Sequence, residues 1–224
     1  MIKSILTLFI CLNISFIYSQ TITKNPGDFE SIRVFDKISV QLVPSKESKV
    51  EIKGSRGSEV EVINKNGALT LRMPLLKLMQ GESIEAIVYF VNLESVEANE
   101  GSFVACASPI ETVNFKVGVK EGANVSLILK NLKTTVNISS GGILKLNGST
   151  ENQDVIMKAG AELDAKNFVS KQTTISLNAG GNADINATDF IEAKVRAGGT
   201  IYIHGKPKKI NQKSIIAGEI LEAF

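Results

Sequence analysis

Glycines recur along the second half of this chain at a nearly constant interval. Gly101, Gly122, Gly141, Gly160, Gly180 and Gly198 are separated by 21, 19, 19, 20 and 18 residues, and Gly218 follows after 20 more. Aligned on them, the residue three before reads Ala98, Val119, Ile138, Met157, Leu177 and Val195, and five before reads Val96, Val117, Val136, Val155, Ile175 and Ala193. Three after stand Val104, Val125, Leu144, Leu163, Ala183 and Ile201, and five after stand Cys106, Leu127, Leu146, Ala165, Ile185 and Ile203. Against a background of 43% apolar residues, an unbroken run over these columns arises by chance about once in a billion trials, before the choice of register is allowed for.

Within each unit the apolar residues are spaced by two, the period of an extended strand with one face buried. The intervening columns are polar: Asn99, Lys120, Ser139, Lys158, Asn178 and Arg196 two before the glycine, and Ala105, Ser126, Lys145, Asp164, Asp184 and Tyr202 four after it. That face is expected to meet water. The residues flanking the glycine shrink, as in Ala159/Ala161 and Ala197/Gly199, which points to a crowded inner corner where the strand bends.

A unit of about 20 residues with one apolar face cannot bury that face alone, so copies must stack. Identical units stack in parallel, which predicts an all-β chain folded as a parallel β-helix, right-handed by the usual crossover rule. Before the coils, Ile38–Leu42, Val50–Ile52, Val60–Val62 and Leu69–Leu71 also read as strands, with Asn66-Gly67 as a hairpin turn. The expected layout is one domain over 20–224, with leading strands or a cap in 20–90 and glycine-anchored coils in 91–224.

The first 19 residues read differently. Lys3 precedes an apolar run from Ile5 to Ile17, and Tyr18-Ser19-Gln20 supplies a small-residue cut site after Ser19, the pattern of an export signal. Cys11 lies inside the apolar run rather than after a small-residue pair, which argues against lipid anchoring. Removing the leader leaves Cys106 as the one cysteine, so stability must come from packing rather than from a disulfide. The expected location is the periplasm, the outer-membrane surface or the extracellular medium. No stretch reaches the length of a membrane-spanning helix.

The layout Phe35-Asp36-Lys37-Ile38-Ser39-Val40, Asn66-Gly67-Ala68-Leu69 and Ile87-Val88-Tyr89-Phe90 leading into Leu93-Glu94-Ser95-Val96 resembles the head GIN domain of putative auto-transporter adhesins. So does the ending Gly199-Thr200-Ile201-Tyr202-Ile203-His204-Gly205-Lys206-Pro207. The resemblance spans Asp28 to Gly218. It implies a β-helical envelope protein of Gram-negative bacteria, in a family of unknown function for which adhesion and lipid binding are both suggested.

Chemistry-bearing residues are sparse. With 25 Lys+Arg against 23 Asp+Glu, the chain lacks the basic footprint of a nucleic-acid binder. Asp164 and Asp184 should stack on the outer face between Lys145 and Tyr202, as a cation-binding or sugar-cleaving carboxylate pair or, more simply, as charges offset by Lys145. Glu100 and Glu121 form a second stacked acidic pair beside the corner, as a cation site or, more simply, as the mark of a coil end whose corner is open to water. Lys120, Lys158 and Arg196 recur on alternate coils of one outward column, about 9.6 Å apart. They offer a ladder to anionic surface glycans or lipids, or a solvated face that blocks lateral association. His204, the single histidine, has no companions for a metal centre or a triad, and Cys106 falls on an inward column as a small hydrophobe. Met73-Pro74-Leu75-Leu76-Lys77-Leu78-Met79 breaks the strand alternation, as a cap over the end of the stack or an exposed patch. The reading is therefore a non-enzymatic binding or adhesion module without cofactor or metal, with a lipid-binding envelope protein as the alternative and a carbohydrate-active enzyme as the weakest one. Its partners are anionic glycans, lipids or other envelope proteins.

Overall fold

The structure is a computed structural model that describes residues 21–223. The export signal, Cys11 and the cut after Ser19 lie outside the described residues.

Short strands come first: β1 (Ile22–Lys24), β2 (Ser31–Val34), β3 (Ser39–Pro44), β4 (Lys49–Lys53), β5 (Glu61–Lys65), β6 (Ala68–Arg72), β7 (Glu85–Phe90) and β8 (Ser95–Ala98). Five long strands follow, β9 (Phe103–Val119), β10 (Asn124–Ile138), β11 (Ile143–Lys158), β12 (Ala161–Asn178) and β13 (Gly181–Arg196). The chain finishes with β14 (Thr200–His204), β15 (Lys209–Ile215) and β16 (Glu219–Glu222). β9 to β13 pair in parallel, each with the next. The result is a β-solenoid of stacked coils of about 19 residues.

The pairing registers place like positions of the glycine alignment side by side, as in Val125↔Leu144, Val136↔Val155 and Leu177↔Val195. Every residue of the four apolar columns is at most 3% exposed. Each coil contributes two walls to one core, because its inward residues switch parity midway. In β10 Leu127, Leu129 and Asn131 are buried, Leu132 and Lys133 both face out, and Thr134, Val136 and Ile138 are buried again. Two consecutive outward residues turn the strand through a bend without ending it.

The opposite edge carries the glycines, and here the structure corrects the crowded corner expected at them. Each glycine from Gly101 to Gly198 in the series forms a two-residue left-handed turn with its predecessor, for example Ala159 at φ 52° with Gly160 at φ 70°; in the last coil Ile216 and Ala217 (φ 55° and 57°) form that turn and Gly218 follows it. A Cβ on Gly122, Gly141, Gly160, Gly180 or Gly198 would have nothing within 4 Å. The requirement is conformational, since left-handed backbone costs an L-residue about 1–2 kcal/mol. Crowding falls one residue later: a Cβ on Gly142 would lie 2.6 Å from the Val119 carbonyl oxygen, and one on Gly181 would lie 2.3 Å from that of Ala161. The corners are themselves stitched together, with the Gly101, Gly122 and Gly141 N–H groups donating to the Glu121, Ser140 and Ala159 carbonyls.

At the N-terminal end, chain order and spatial order part. β2 pairs β6 on one side and β8 on the other, while β3 lies between β7 and β9. The β2–β3 coil, turning at Asp36 and Lys37 (φ 61° and 62°), is therefore sandwiched between the β6–β7 and β8–β9 coils. Outside them β4 pairs antiparallel with β7, β1 with β4, and β5 with β6 through the Asn66-Gly67 turn. These antiparallel strands occupy the end of the stack. The Met73–Met79 segment covers little of it: the segment leaves the stack where the β6–β7 coil turns its corner, with Leu75 76% and Leu76 95% exposed. A cap would have buried those leucines.

Candidate binding surfaces

The five charged candidates lie on two separate faces. Asp164 and Asp184 are direct neighbours on the first wall, with Lys145 on one side and Tyr202 on the other. Lys120, Lys158 and Arg196 share a column of the second wall: Lys158↔Asn178 and Asn178↔Arg196 are registered pairs, and the Lys120 N–H donates to Ala98 in the same ladder. Both columns run as the sequence spacing required. They do not converge on one site.

Both aspartates have cationic or imidazole partners. Asp164 lies 3.6 Å from Lys145 Nζ and 3.9 Å from Lys166 Nζ. Asp184 Oδ1 lies 2.6 Å from His204 Nε2. The sequence reading gave His204 no partner. Its register is opposite Asn186, two residues along the strand from Asp184, and such a diagonal neighbour is within reach of a long side chain. Among the described residues no cluster of three or more His, Cys, Asp or Glu side chains is placed to hold a metal ion.

The second wall is unevenly charged. Lys120 Nζ lies 2.9 Å from Glu97 Oε1, and Glu97 also meets Arg33 at 3.4 Å. Glu97 leans across Gly118, where a Cβ would lie 3.3 Å from its Cγ. Lys120 is thus neutralised. Asn99, expected on this wet face, is 5% exposed. Further along the stack, Lys158 and Arg196 have no carboxylate partner among the described residues, and neither do Lys194 and Lys213, which are registered neighbours. These four side chains project from one wall over four coils. Lys194 and Lys213 were missed because their column opens with Glu97, Gly118, Asn137, Ile156 and Ser176, which carries no cationic pattern. The stacking alone brings them beside Arg196.

A second missed feature lies at the bend. Asn131, Thr150 and Ser170 form one buried column and Thr134, Gln153 and Thr173 another. Thr134 donates to Asn131 Oδ1 at 2.9 Å, Thr173 donates to Gln153 Oε1 at 3.2 Å, and Ser170 and Thr173 share a hydrogen bond of 2.6 Å. Polar residues three apart at a fixed offset from each glycine are the signal that reveals them. Cys106 is 3% exposed, donates to the Ser108 carbonyl, and has its thiol pKa pushed up by burial; it behaves as an inert core residue.

At the glycine edge Glu100 sits beside the buried Asp36 and near Glu121. Burial, then the Asp36 charge, raises the Glu100 pKa above the usual carboxylate range. Asp36 itself is 1% exposed and accepts the backbone N–H of Met73 at 2.8 Å through Oδ2 and of Met79 at 2.7 Å through Oδ1.

Residues 28–207 match the family described as putative auto-transporter adhesin, head GIN domain. The chain belongs to that family. Solved structures repeat the fold. One described as a putative adhesin from Bacteroides fragilis superposes with a TM-score of 0.82 at 21% identity, covering 91% of this chain and 96% of its own. Another from Parabacteroides merdae, also described as a putative adhesin, gives 0.70 at 20% identity, covering 92% and 96%. A third, described as a putative lipid binding protein from Parabacteroides distasonis, gives 0.69 at 13% identity over the same shares. No curated protein matches the chain significantly. Among the described residues no helix is long and apolar enough to cross a membrane.

Proposed function

We propose that this head GIN protein is an exported, non-enzymatic binding module of the cell envelope, and that it contacts anionic surface polymers through the second wall of its solenoid. The observation that carries this reading is the set Lys158, Lys194, Arg196 and Lys213, which projects from a rigid sheet without carboxylate partners among the described residues. Coils repeat about every 4.8 Å and alternate residues along a parallel strand about every 6.6 Å. Four cations therefore occupy a fixed lattice, and contacts that are individually weak add through multivalency to a repeating polyanion. Lys120, which began as part of the column, drops out of it because Glu97 holds it.

The carbohydrate-active alternative is disfavoured by the first wall. Asp164 and Asp184 stand on an open sheet face, and both are engaged by Lys145, Lys166 and His204. A glycosidase needs one carboxyl to act as an acid and the other as a nucleophile or base across a bound sugar. Carboxylates already paired on a flat face supply neither the separation of roles nor the walls.

Retention on anionic glycan and anionic phospholipid surfaces, at low and physiological ionic strength, tests the reading. The variant with Lys158, Lys194, Arg196 and Lys213 all changed to Ser is expected to lose retention, while Lys120→Ser keeps it. Salt-insensitive binding to the glycan surface, or retention there unchanged in the fourfold variant, removes this face from the explanation. Release of sugar fragments in the same assay would restore the enzymatic alternative. Export is checked by intact mass of the envelope fraction, which should begin at Gln20.

A further inference from the structure

We propose that the corner loop Met73–Met79 is a preformed finger that inserts its leucines into the surface of a lipid bilayer. In the β3–β9 part of the stack and beyond, corners are two-residue turns. At the β6–β7 corner the chain makes an excursion instead, and at its tip a 3-10 turn, Leu75–Lys77, presents Leu75 and Leu76 to solvent at 76% and 95% exposure. Leu78 and Met79 add 46% and 42%.

This exposure is held in place. The two ends of the loop are gathered by one buried carboxylate, Asp36, whose oxygens take the Met73 and Met79 N–H groups, and Met73 is fully buried as the root. Fixing four apolar side chains outward costs free energy unless something covers them. The collar below the tip is built of both signs: Glu59 lies 2.8 Å from Arg56 and 2.9 Å from Lys77, and Lys37 lies 3.2 Å from Glu82. Hydrogen bonds from Arg56 and then Lys77 hold the Glu59 pKa below its ordinary value.

A convex apolar tip over a mixed-charge collar matches a zwitterionic headgroup layer, which presents phosphate and ammonium groups above hydrocarbon. A second copy of the chain fits less well. A stable protein interface uses about 20–30 residues a side, and this loop offers four apolar side chains on a convex point. Two inserted leucines reach at most the scale of a single acyl anchor, an association constant on the order of 10⁴ M⁻¹, so the contact is reversible and gains from a second attachment.

The chain contains no tryptophan, so Leu76→Trp introduces a sole indole at the tip. With phosphatidylcholine vesicles its emission should shift to the blue, and quenchers carried on the lipid chains should reach it. The shift should persist at high salt, which separates it from the salt-sensitive contacts of the second wall. In the otherwise unaltered chain, Leu75→Ser with Leu76→Ser should lower vesicle co-sedimentation at least tenfold and leave thermal stability unchanged, because neither leucine is packed. Unchanged emission with saturating vesicles, or co-sedimentation unaffected by the double change, overturns the proposal. A blue shift that grows with protein concentration in the absence of lipid would assign the finger to self-association and overturn it too.

Discussion

Asp36 Oδ1 accepts the N–H of Met79 at 2.7 Å across 43 residues of sequence, and its other oxygen takes the N–H of Met73. One carboxylate at a coil corner thereby sets the shape of a loop in the neighbouring coil. Hydrogen bonds to a charged, buried acceptor are worth about 1.5–3 kcal/mol each. Asp36→Asn keeps the volume but puts an amide donor against one of the two N–H groups, so it should cost about 1–3 kcal/mol in chemical denaturation. Hydrogen exchange should show the Met73 and Met79 amides losing protection ahead of those in β9 to β13. Uniform loss across the molecule would show that the carboxylate serves the whole stack rather than the loop.

Glu100 supplies the pH dependence of this corner. Its folded-state pKa is raised, first by burial and then by the Asp36 charge, so the folded protein favours the protonated acid more than the unfolded chain does. Such a group contributes stability that is fully present below the ordinary carboxylate range and is lost as pH rises through the raised value. Glu100→Gln removes the charge at every pH. The variant should be more stable than the parent at pH 7, and the gap should close as both are acidified towards pH 4 in paired urea titrations. A gap that widens on acidification would reverse the sign assigned to Glu100.

Much of this architecture was legible because a solenoid repeats its evidence. Every coil restates the same strand period, and a single wrong register would have broken columns such as Val119, Ile138, Met157, Leu177. The interleaving of β2–β3 between β6–β7 and β8–β9 was not legible, since strand pairing in space leaves no mark on a short strand with no repeat. The Asp184–His204 contact was hidden for a related reason: the two residues stand at different offsets from their glycines, and only diagonal proximity across the sheet joins them. Outward cations such as Lys194 and Lys213 escaped notice because a binding surface needs no periodic sequence once the fold supplies the spacing.

The corner glycines divide into two kinds, and substitution distinguishes them. Gly160 is left-handed at φ 70° with open space around it, so Gly160→Ala pays only the backbone term, about 1–2 kcal/mol. Gly142 lacks the left-handed backbone but has the Val119 carbonyl oxygen 2.6 Å from where a Cβ would sit. Gly142→Ala must push two coils apart and should cost more than Gly160→Ala. Its converse is Ala159→Gly, at φ 52°, which relieves strain and should leave stability unchanged or raise it. Thermal unfolding of the three variants orders them, and a milder effect at Gly142 than at Gly160 would refute the steric account.

The same chemical change at two leucines separates core from surface most sharply. Leu146 is 1% exposed in a column between Leu127 and the β12 coil, and Leu146→Asp places a carboxylate in a hydrocarbon ladder without a partner. The desolvation cost of an isolated buried charge exceeds the about 5–15 kcal/mol by which a whole domain is stable, so this variant should fail to fold or should fold only with the acid protonated. Leu146→Ala, which leaves a cavity and no charge, should cost about 2–5 kcal/mol and remain foldable, giving a measurable value where the aspartate gives none. Leu76→Asp, at 95% exposure, should leave the unfolding midpoint where it was. Normal stability of the Leu146→Asp variant would mean that this column does not face the core, and the register of every coil stacked upon it would fall with it.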